Sequence, residues 1–311
     1  GPHLTGHKLR EFYLDPQVMV DANIYEVENF GNDIFQTLSD PYVEAGDLGL
    51  AVEYPEDAMP VNTTPLLIER EDLAKLQKPP ITEGDGRMPR RIEAVRRLAA
   101  KSDGQIPVMG WVEGALAEAG DVRGIMNILM DLIDDPKWCH ELMEFICELE
   151  IEFAHAQIDA GADIIGLGDA LGSQVGPENY REYALPYEQR IFRAIKDRGA
   201  MTRLHICGDT TAILEDMAQS GADIIDLDWM VDMQRAHETI GERAVICGNQ
   251  DPVAVMLNGT AELVEAEVTR AVKAGGPRCI NMAGCEIPDG TPIENLETQK
   301  RVLAELARQG F

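Results

Sequence analysis

The sequence predicts an α/β fold, a single (β/α)8 TIM barrel preceded by a mostly helical N-terminal elaboration. From about residue 105 onward, short β-rich runs alternate with amphipathic helical stretches, as in a parallel sheet with helical crossovers. Two strand-bearing segments repeat, and the 311 residues, 45% of them hydrophobic, suffice to bury one barrel core. A doubly wound open sheet is the alternative, although no G-x-G-x-x-G motif follows an early strand.

The N-terminal part of the chain is predicted to precede the barrel. Residues 1–47 would form the helical elaboration and residues 48–311 the barrel, with LGLAVEYPED at 48–57 as its first strand. The segment LQKPPITEGDGRMP at 76–89 contains three prolines and two glycines, which interrupt regular structure. We therefore expect a surface loop there.

The later elements follow in a regular order. The predicted strands are IPVMGW, ADIIGLGD, TRLHIC, ADIIDLD, AVICGN and RCINMA. Two predicted helices, PENYREYALPYEQRIFRAIKDRG and TAELVEAEVTRAVKAGG, carry apolar residues three and four positions apart and end in glycine. Each is long enough to cross back over a sheet, so the strands that they connect would run parallel.

The repeated segments each end a strand with an acid. DAGADIIGLGDA at 159–170 and QSGADIIDLDWM at 219–230 both contain a helix end, a glycine, a strand and an aspartate. In a (β/α)8 barrel the strands deliver residues to one rim, where the active site forms. Asp169 and Asp228 are therefore candidate catalytic residues, and capping of the following loop is an equally good interpretation of both.

Charge and composition exclude several classes of partner. With 55 Asp and Glu against 27 Lys and Arg, the formal net charge is -28, which repels nucleic-acid phosphates and anionic lipid surfaces. No run approaches the roughly 20 apolar residues of a membrane span, and no basic-then-apolar signal segment begins the chain. We expect a cytoplasmic protein without nucleic-acid or membrane partners. Six cysteines in so long and acidic a chain do not resemble a disulfide framework.

Two residues of the predicted strand TRLHIC have the chemistry of metal ligands. His205 and Cys207 lie two positions apart, so their side chains share one face at the end of the strand. Zinc accepts imidazole nitrogen and thiolate sulfur, and a catalytic zinc site typically has three protein ligands. Cys285, just past a strand and before a Pro/Gly-rich loop, is the candidate third ligand. The His-x-Cys spacing by itself is more often that of two packed core residues.

Several motifs together resemble one protein family. LHICGDT, the paired GADII segments, GNQDPV and GCEIPDGTPIENL look like the uroporphyrinogen decarboxylase superfamily, and specifically its zinc-dependent corrinoid methyltransferase branch. The resemblance covers nearly the whole chain and implies a (β/α)8 barrel with its site at the C-terminal rim. It also implies a zinc site formed by His205, Cys207 and Cys285, and a corrinoid (cobalamin) carried by a separate protein.

The decarboxylases of this superfamily are a less favoured alternative. A tetrapyrrole with many carboxylates requires arginines as bidentate partners. The decarboxylases carry an arginine-rich segment near the N-terminus, whereas here that region is REFYLDPQVMVDANIYEVENFGNDIF, with one arginine and many acids. Decarboxylation also has no need of the His-x-Cys and distant Cys.

The segment GWVEGALAEAGD bears on the direction of methyl transfer. Members of the branch that methylate coenzyme M tend to carry a Gly-Pro-Phe-Thr-like run there, so we expect coenzyme M to be neither substrate nor tight ligand. Glu113, in this segment, would also add an anion near a thiolate. It is a candidate fourth zinc ligand, or a catalytic residue that holds the proton of a leaving oxygen. A solvated rim glutamate is an equally good interpretation.

The sequence therefore predicts an enzyme that demethylates a small O-methyl compound, preferably a phenyl methyl ether, and passes the methyl group to the Co(I) of a partner corrinoid protein. Zinc would act as a Lewis acid on the ether oxygen. The alternatives are a methylcobamide:coenzyme M methyltransferase, the decarboxylase, and a non-catalytic zinc- or corrinoid-binding accessory protein. A homodimer is one expected assembly. Asn249 and Asp251 are weaker candidates for lining the cofactor-binding rim, since Asn and Asp before proline also build turns.

Overall fold

The structure, a computed structural model, describes all 311 residues. It divides into two compact units, one formed by residues 1–169 and 182–202 and the other by residues 170–181 and 203–311. No helix combines the length and the apolar character that crossing a membrane requires.

The strands are β1 (Phe35–Gln36), β2 (Val52–Glu53), β3 (Val61–Asn62), β4 (Val108–Glu113), β5 (Ile164–Gly168), β6 (Met201–Ile206), β7 (Ile224–Leu227) and β8 (Val245–Cys247). The α-helices are α1 (Leu9–Leu14), α2 (Pro16–Phe30), α3 (Val43–Leu48), α4 (Arg87–Ser102), α5 (Ala115–Arg123), α6 (Ile125–Asp134), α7 (Pro136–Asp159), α8 (Gly176–Asn179), α9 (Leu185–Asp197), α10 (Leu214–Gln219), α11 (Met233–Ile240), α12 (Ala261–Gly275) and α13 (Ile293–Gln309).

In the first unit, β1, β4 and β5 run parallel to one another. β1 pairs with β4 through Phe35 and Val108, and the pairing of β4 with β5 extends to Glu113 opposite Gly168. Every residue of β4 and β5 is buried, as in parallel strands that helices cover on both faces. The strands predicted at IPVMGW and ADIIGLGD are confirmed.

The prediction that residues 48–57 form the first barrel strand is wrong. Helix α3 continues to Leu48, and Gly49 ends it in the left-handed region at φ 112°. The strand that follows, β2, pairs antiparallel with β3 in a two-stranded sheet of its own. The first parallel strand is instead β1, inside the segment predicted to be mostly helical. The boundary between residues 47 and 48 stays a prediction.

The predicted loop at 76–89 is confirmed as far as residue 86. Helix α4 begins at Arg87, although Pro89 lies in its first turn. Proline is tolerated there because the first N–H groups of a helix have no intrahelical acceptor.

In the second unit, residues 203–206 of β6 run parallel to β7, and β7 runs parallel to β8. The strands predicted at TRLHIC, ADIIDLD and AVICGN are confirmed. The register of β6 and β7 places His205 opposite Asp226, and that of β7 and β8 places Asp226 opposite Cys247. Because the strands are parallel, their carboxyl ends lie at one edge of this sheet, where His205 and the residues after β7 are found.

The last predicted strand, RCINMA, is present only as two isolated bridges. They join Cys247 to Ile280 and Gln250 to Ala283, both in parallel orientation. Gly248 lies between the bridged residues at φ 135°, a region that favours glycine, so the chain leaves the extended conformation there. The pairing is therefore interrupted.

The end of this bridged segment, at Ala283, packs against α12 and α13. The predicted helix TAELVEAEVTRAVKAGG is confirmed as α12, and the Thr260 side chain accepts a hydrogen bond from Leu263 N at its start. Ala283, two residues before Cys285, is buried in the same apolar cluster as residues of both helices. The cluster consists of Val255, Met256, Val264, Val268, Val272, Ala283, Val302 and Leu306.

Candidate metal centre

The carboxyl end of β6 presents two of the predicted ligands. His205 is the second-last residue of β6, and Cys207 is the first residue after the strand. Their side chains converge, with His205 Nε2 3.1 Å from Cys207 Sγ. The side chain of His205 is 14% exposed, and Cys207 is partly buried.

Cys285 reaches the same place from the segment that follows the two bridges. A Cβ on Gly284 would lie 2.3 Å from the backbone nitrogen of Trp229, so only glycine permits this approach to the residues after β7. Cys285 Sγ lies 4.0 Å from Cys207 Sγ. The ligand atoms of His205, Cys207 and Cys285 all lie within 4.8 Å of one another. We call these three residues the ligand triad.

The electrostatics of the triad favour a deprotonated sulfur. Hydrogen bonds from Cys207 and His205 lower the pKa of the Cys285 thiol to about 4. For His205, burial opposes the charged form, but the hydrogen bond to Cys285 and the charge of Asp226 outweigh it and raise its pKa. Without a metal the side chains therefore favour a Cys285 thiolate beside a protonated imidazole. The thiolate is already the donor form that a metal requires, and metal binding would release the proton of His205.

The donor set of the triad fits zinc. Two sulfur atoms and one imidazole nitrogen match the ligands of catalytic zinc sites and suit magnesium or calcium poorly, since those ions prefer oxygen. Three protein ligands also leave one coordination position for a substrate.

The low pKa of Cys285 predicts its selective alkylation in zinc-free protein. At about pH 6, iodoacetamide should modify Cys285 before the buried cysteines, because the thiolate is the nucleophile. Burial raises the pKa of Cys139 to about 12 and those of Cys147 and Cys279 to about 11. Peptide mapping by mass spectrometry identifies the modified residue, and zinc-loaded protein is the control, in which Cys285 should be protected. Earlier modification of Cys139 or Cys279 would contradict the assignment.

Asp226 and Arg203 form a buried ion pair next to His205. Neither residue was predicted from the sequence as part of the site. Arg203 Nη2 donates to Asp226 Oδ2 at 2.6 Å, and the same oxygen lies 3.7 Å from His205 Nδ1. The signal was present, since a charged residue interrupts each of the apolar runs TRLHIC and ADIIDLD. Charges on fully buried strands are almost always paired.

Asp228 stabilises the loop after Cys207 and the start of the loop after β7. It is 5% exposed, and its carboxylate accepts hydrogen bonds from Gly208 N and Trp229 N, both at 2.6 Å. Gly208 follows Cys207, and Trp229 is the residue against which Gly284 packs. Burial raises the pKa of Asp228. Its predicted catalytic role stays a prediction.

Asn249 and Asp251 make local hydrogen bonds in the loop after β8. Asn249 Nδ2 donates to the carbonyl oxygens of Asp228 and Val231, at 3.0 and 2.6 Å. Asp251 Oδ1 accepts from Val253 N and Ala254 N, both at 2.8 Å, and so caps the π-helix Pro252–Leu257. Both side chains thus have a structural use, and their cofactor-binding role stays a prediction.

Glu113 and Asp169 end β4 and β5 of the first unit. Glu113 is 6% exposed and accepts a hydrogen bond from Trp111 Nε1 at 3.0 Å. Burial, reinforced by neighbouring acids, raises its pKa well above the ordinary range. Asp169 accepts from Ala117 N at 3.0 Å, and burial raises its pKa to about 7. The predicted roles of Glu113 as ligand or proton holder and of Asp169 in catalysis stay predictions.

Three further buried glutamates of the first unit were not found from the sequence. Glu44, Glu118 and Glu150 are fully buried on α3, α5 and α7. Burial raises the pKa of Glu44 to about 7 and those of Glu118 and Glu150 well above their ordinary range. Burial thus favours the neutral form of all three carboxyls.

Known sequences match nearly the whole chain. The family model described as Uroporphyrinogen decarboxylase (URO-D) matches residues 2–305. Methylcobamide:CoM methyltransferase MtbA of Methanosarcina mazei is 36% identical over 229 residues, which are 73% of this chain and 66% of that protein. Uroporphyrinogen decarboxylase of Carboxydothermus hydrogenoformans is 27% identical over 304 residues, 95% of this chain and 85% of that protein. The chain thus spans slightly less than two thirds of the MtbA relative.

A solved structure has the same fold. A methyltransferase from Methanosarcina mazei superposes with a TM-score of 0.90 at 23% identity, covering 98% of this chain and 90% of the other. Together with the parallel strands and their connecting helices, this likeness confirms the predicted fold class.

Proposed function

This chain belongs to the uroporphyrinogen decarboxylase family, and we propose that it transfers a methyl group from a methylated cobamide to the sulfur of a small thiol. The observation that carries the proposal is the ligand triad, whose three donor atoms lie within 4.8 Å of one another. Two sulfurs and an imidazole suit zinc, and a soft zinc site suits a sulfur substrate.

The relatives support this choice of donor and acceptor. The MtbA protein is named for transfer between methylcobamide and coenzyme M, and a second methyltransferase shares the fold. Every protein compared above is an enzyme by name, so the prediction that the chain is an enzyme is confirmed. A corrinoid protein as methyl donor and a thiol such as coenzyme M as acceptor belong to the proposal.

The triad determines the chemistry of the acceptor. When bound, zinc supplies the positive charge that lowers the pKa of a thiol ligand and keeps its sulfur a thiolate near neutral pH. His205, Cys207 and Cys285 would hold the ion, and two thiolates among these ligands would balance its charge. The acceptor's sulfur therefore keeps its nucleophilicity. It bonds to the methyl carbon, the cobalt–carbon bond breaks with its electron pair on cobalt, and the thiol's proton passes to solvent.

The observed environment of Glu113 removes one reason for excluding coenzyme M. The sequence predicts an anion at this position, but burial and neighbouring acids raise the pKa of this carboxyl well above its ordinary range, which favours its neutral form. A neutral carboxyl does not repel a thiolate. None of the relatives named above acts on an ether by name, so we favour the coenzyme M alternative over phenyl methyl ether demethylation.

Uroporphyrinogen decarboxylation is the second alternative, and the arginines count against it. Arg87 of α4 is held by Asp40 in a buried ion pair, and Arg91 donates to Ser39 at 2.8 Å. Both guanidinium groups are thus engaged within the first unit and are poorly suited to bind the carboxylates of a tetrapyrrole.

A direct assay of methyl transfer tests the proposal. Zinc-loaded protein with methylcobalamin and coenzyme M, kept anaerobic, is expected to form cob(I)alamin and the S-methyl product. Absorbance follows the cobalamin, and mass spectrometry identifies the product. 2-Hydroxyethanesulfonate, in which a hydroxyl replaces the thiol, is the matched control and should accept no methyl group.

Two other outcomes would overturn the proposal. Formation of methylcobalamin from methoxybenzene and cob(I)alamin, without thiol methylation, would restore the demethylase prediction. Release of carbon dioxide from uroporphyrinogen would assign the chain to the decarboxylases.

A further inference from the structure

The strands β6 and β7 bring three polar side chains to one face of the second unit. Arg203 and His205 lie two positions apart on β6, so both project to the same side. Asp226 of β7 stands opposite His205 in the register. All three side chains are at most 14% exposed.

The two ring nitrogens of His205 have different surroundings. Nε2 points to the sulfurs of the triad, 3.1 Å from Cys207 Sγ, whereas Nδ1 faces Asp226 Oδ2 at 3.7 Å. Nδ1 is buried without a hydrogen-bond partner, and so is Asp226 Oδ1. Because unpaired buried polar atoms are costly, a hydrogen bond from Nδ1–H to this carboxylate is the contact that would satisfy the imidazole.

Arg203 holds the carboxylate of Asp226 in place. Its Nε and Nη2 both donate to Asp226 Oδ2, at 2.8 and 2.6 Å. Nη2 also lies 2.8 Å from Met282 Sδ, in the segment that leads to Cys285. Arg203 therefore fixes Oδ2, the carboxylate oxygen that His205 Nδ1 faces.

We propose that Asp226 is a positioning residue for the metal site, which holds His205 through Nδ1 so that Nε2 is presented to the metal. The inference rests on the proposed function only in taking zinc as the ion of the triad. Metal-ligating histidines commonly donate their second N–H to a carboxylate, which fixes the tautomer and ring orientation. Arg203 supports the arrangement by fixing Asp226.

The test measures metal binding without any methyl donor or acceptor. Asp226→Asn should weaken zinc binding by about 10–100-fold in competition with a chelator. In protein loaded with cobalt(II), the ligand-field and thiolate charge-transfer bands should shift, because the imidazole is no longer held. If the ion pair of Arg203 and Asp226 served stability alone, Asp226→Asn would leave the zinc affinity and the cobalt(II) bands unchanged.

Two companion variants separate positioning from folding. Asp226→Asn leaves Arg203 buried without a counter-charge, so the double variant Arg203→Met with Asp226→Asn removes both charges and should bind zinc equally weakly. Asp131→Asn is the matched control, because Asp131 is a buried carboxylate held by Arg123 and Arg70 at 2.7 Å each. It should lower stability and leave zinc affinity and the cobalt spectrum as in the wild type.

Zinc binding tests the positioning role of Asp226, whereas thiol methylation tests the proposed function. Wild-type zinc affinity and cobalt spectrum in the folded double variant would overturn the positioning role, even if the wild type methylates a thiol. Weak zinc binding in both Asp226 variants, with a wild type that methylates no thiol, would support the positioning role and reject only the proposed function.

Discussion

Cys285→Ser is expected to empty the zinc site and to lower methyl transfer by more than about 100-fold, since changes to mere supporting partners of a ligand already cost 10–100-fold. Hydrogen bonds from Cys207 and His205 lower the pKa of the Cys285 thiol to about 4, so this residue offers a thiolate at neutral pH. A serine hydroxyl of similar size neither ionises near neutral pH nor offers sulfur. Elemental analysis after dialysis measures zinc, and the coenzyme M assay measures transfer.

Cys279→Ser is the matched control for this substitution. Cys279 is also partly buried, but its sulfur donates to Ile280 O and lies outside the triad. This variant should retain zinc and activity, and both variants should keep the circular dichroism of the folded protein. Full activity in a zinc-free Cys285→Ser protein would refute the site.

Gly284→Ala is expected to produce the second largest effect, a loss of zinc affinity of about 10-fold or more. The added Cβ would lie 2.3 Å from Trp229 N and 2.9 Å from the carbonyl carbon of Asp228, and these are backbone atoms that cannot rotate away. The segment must therefore move, and it carries Cys285 with it. Such overpacking also costs about 1–3 kcal/mol of stability. Chelator competition and thermal unfolding measure the two effects.

Gly46→Ala in α3 provides the comparison. A Cβ there meets its closest neighbours, Tyr54 and Val52, at 3.9 Å, an ordinary van der Waals distance. Zinc affinity should be unchanged in this variant. If Gly284→Ala binds zinc as tightly as Gly46→Ala does, close packing of the residue-284 backbone does not position Cys285.

The ligand residues could be predicted because their signal is local or carried by a motif. His205 and Cys207 are two apart on a strand, and this spacing alone places their side chains on one face. Cys285 is 78 residues from Cys207, and no local pattern connects the two. The family resemblance supplied that connection, and the contact of Gly284 with Trp229 is its physical basis.

Pairing across strands was the part that sequence reasoning missed. The contact between Arg203 and Asp226 depends on the register of β6 and β7, which neither strand encodes by itself. The first parallel strand escaped notice because β1 has two residues, too few for a period of two to emerge. The apolar run at 48–52 resembled a strand more strongly, although α3 and its cap occupy its first residues.

The sequence distance between the two cysteine ligands has a consequence for chain entropy. An ion held by Cys207 and Cys285 would close a ring of the 78-residue span that contains β7, β8 and α10 to α12. For a covalent link of this length, restriction of the unfolded chain is worth about 4.5 kcal/mol, and coordination acts in the same sense while the ion stays bound. The zinc-free Cys285→Ser protein should then unfold at a lower temperature than Cys279→Ser, and equal midpoints would mean that ring closure adds no stability. The ion that activates the acceptor would thus also determine how readily this half of the chain opens to proteases.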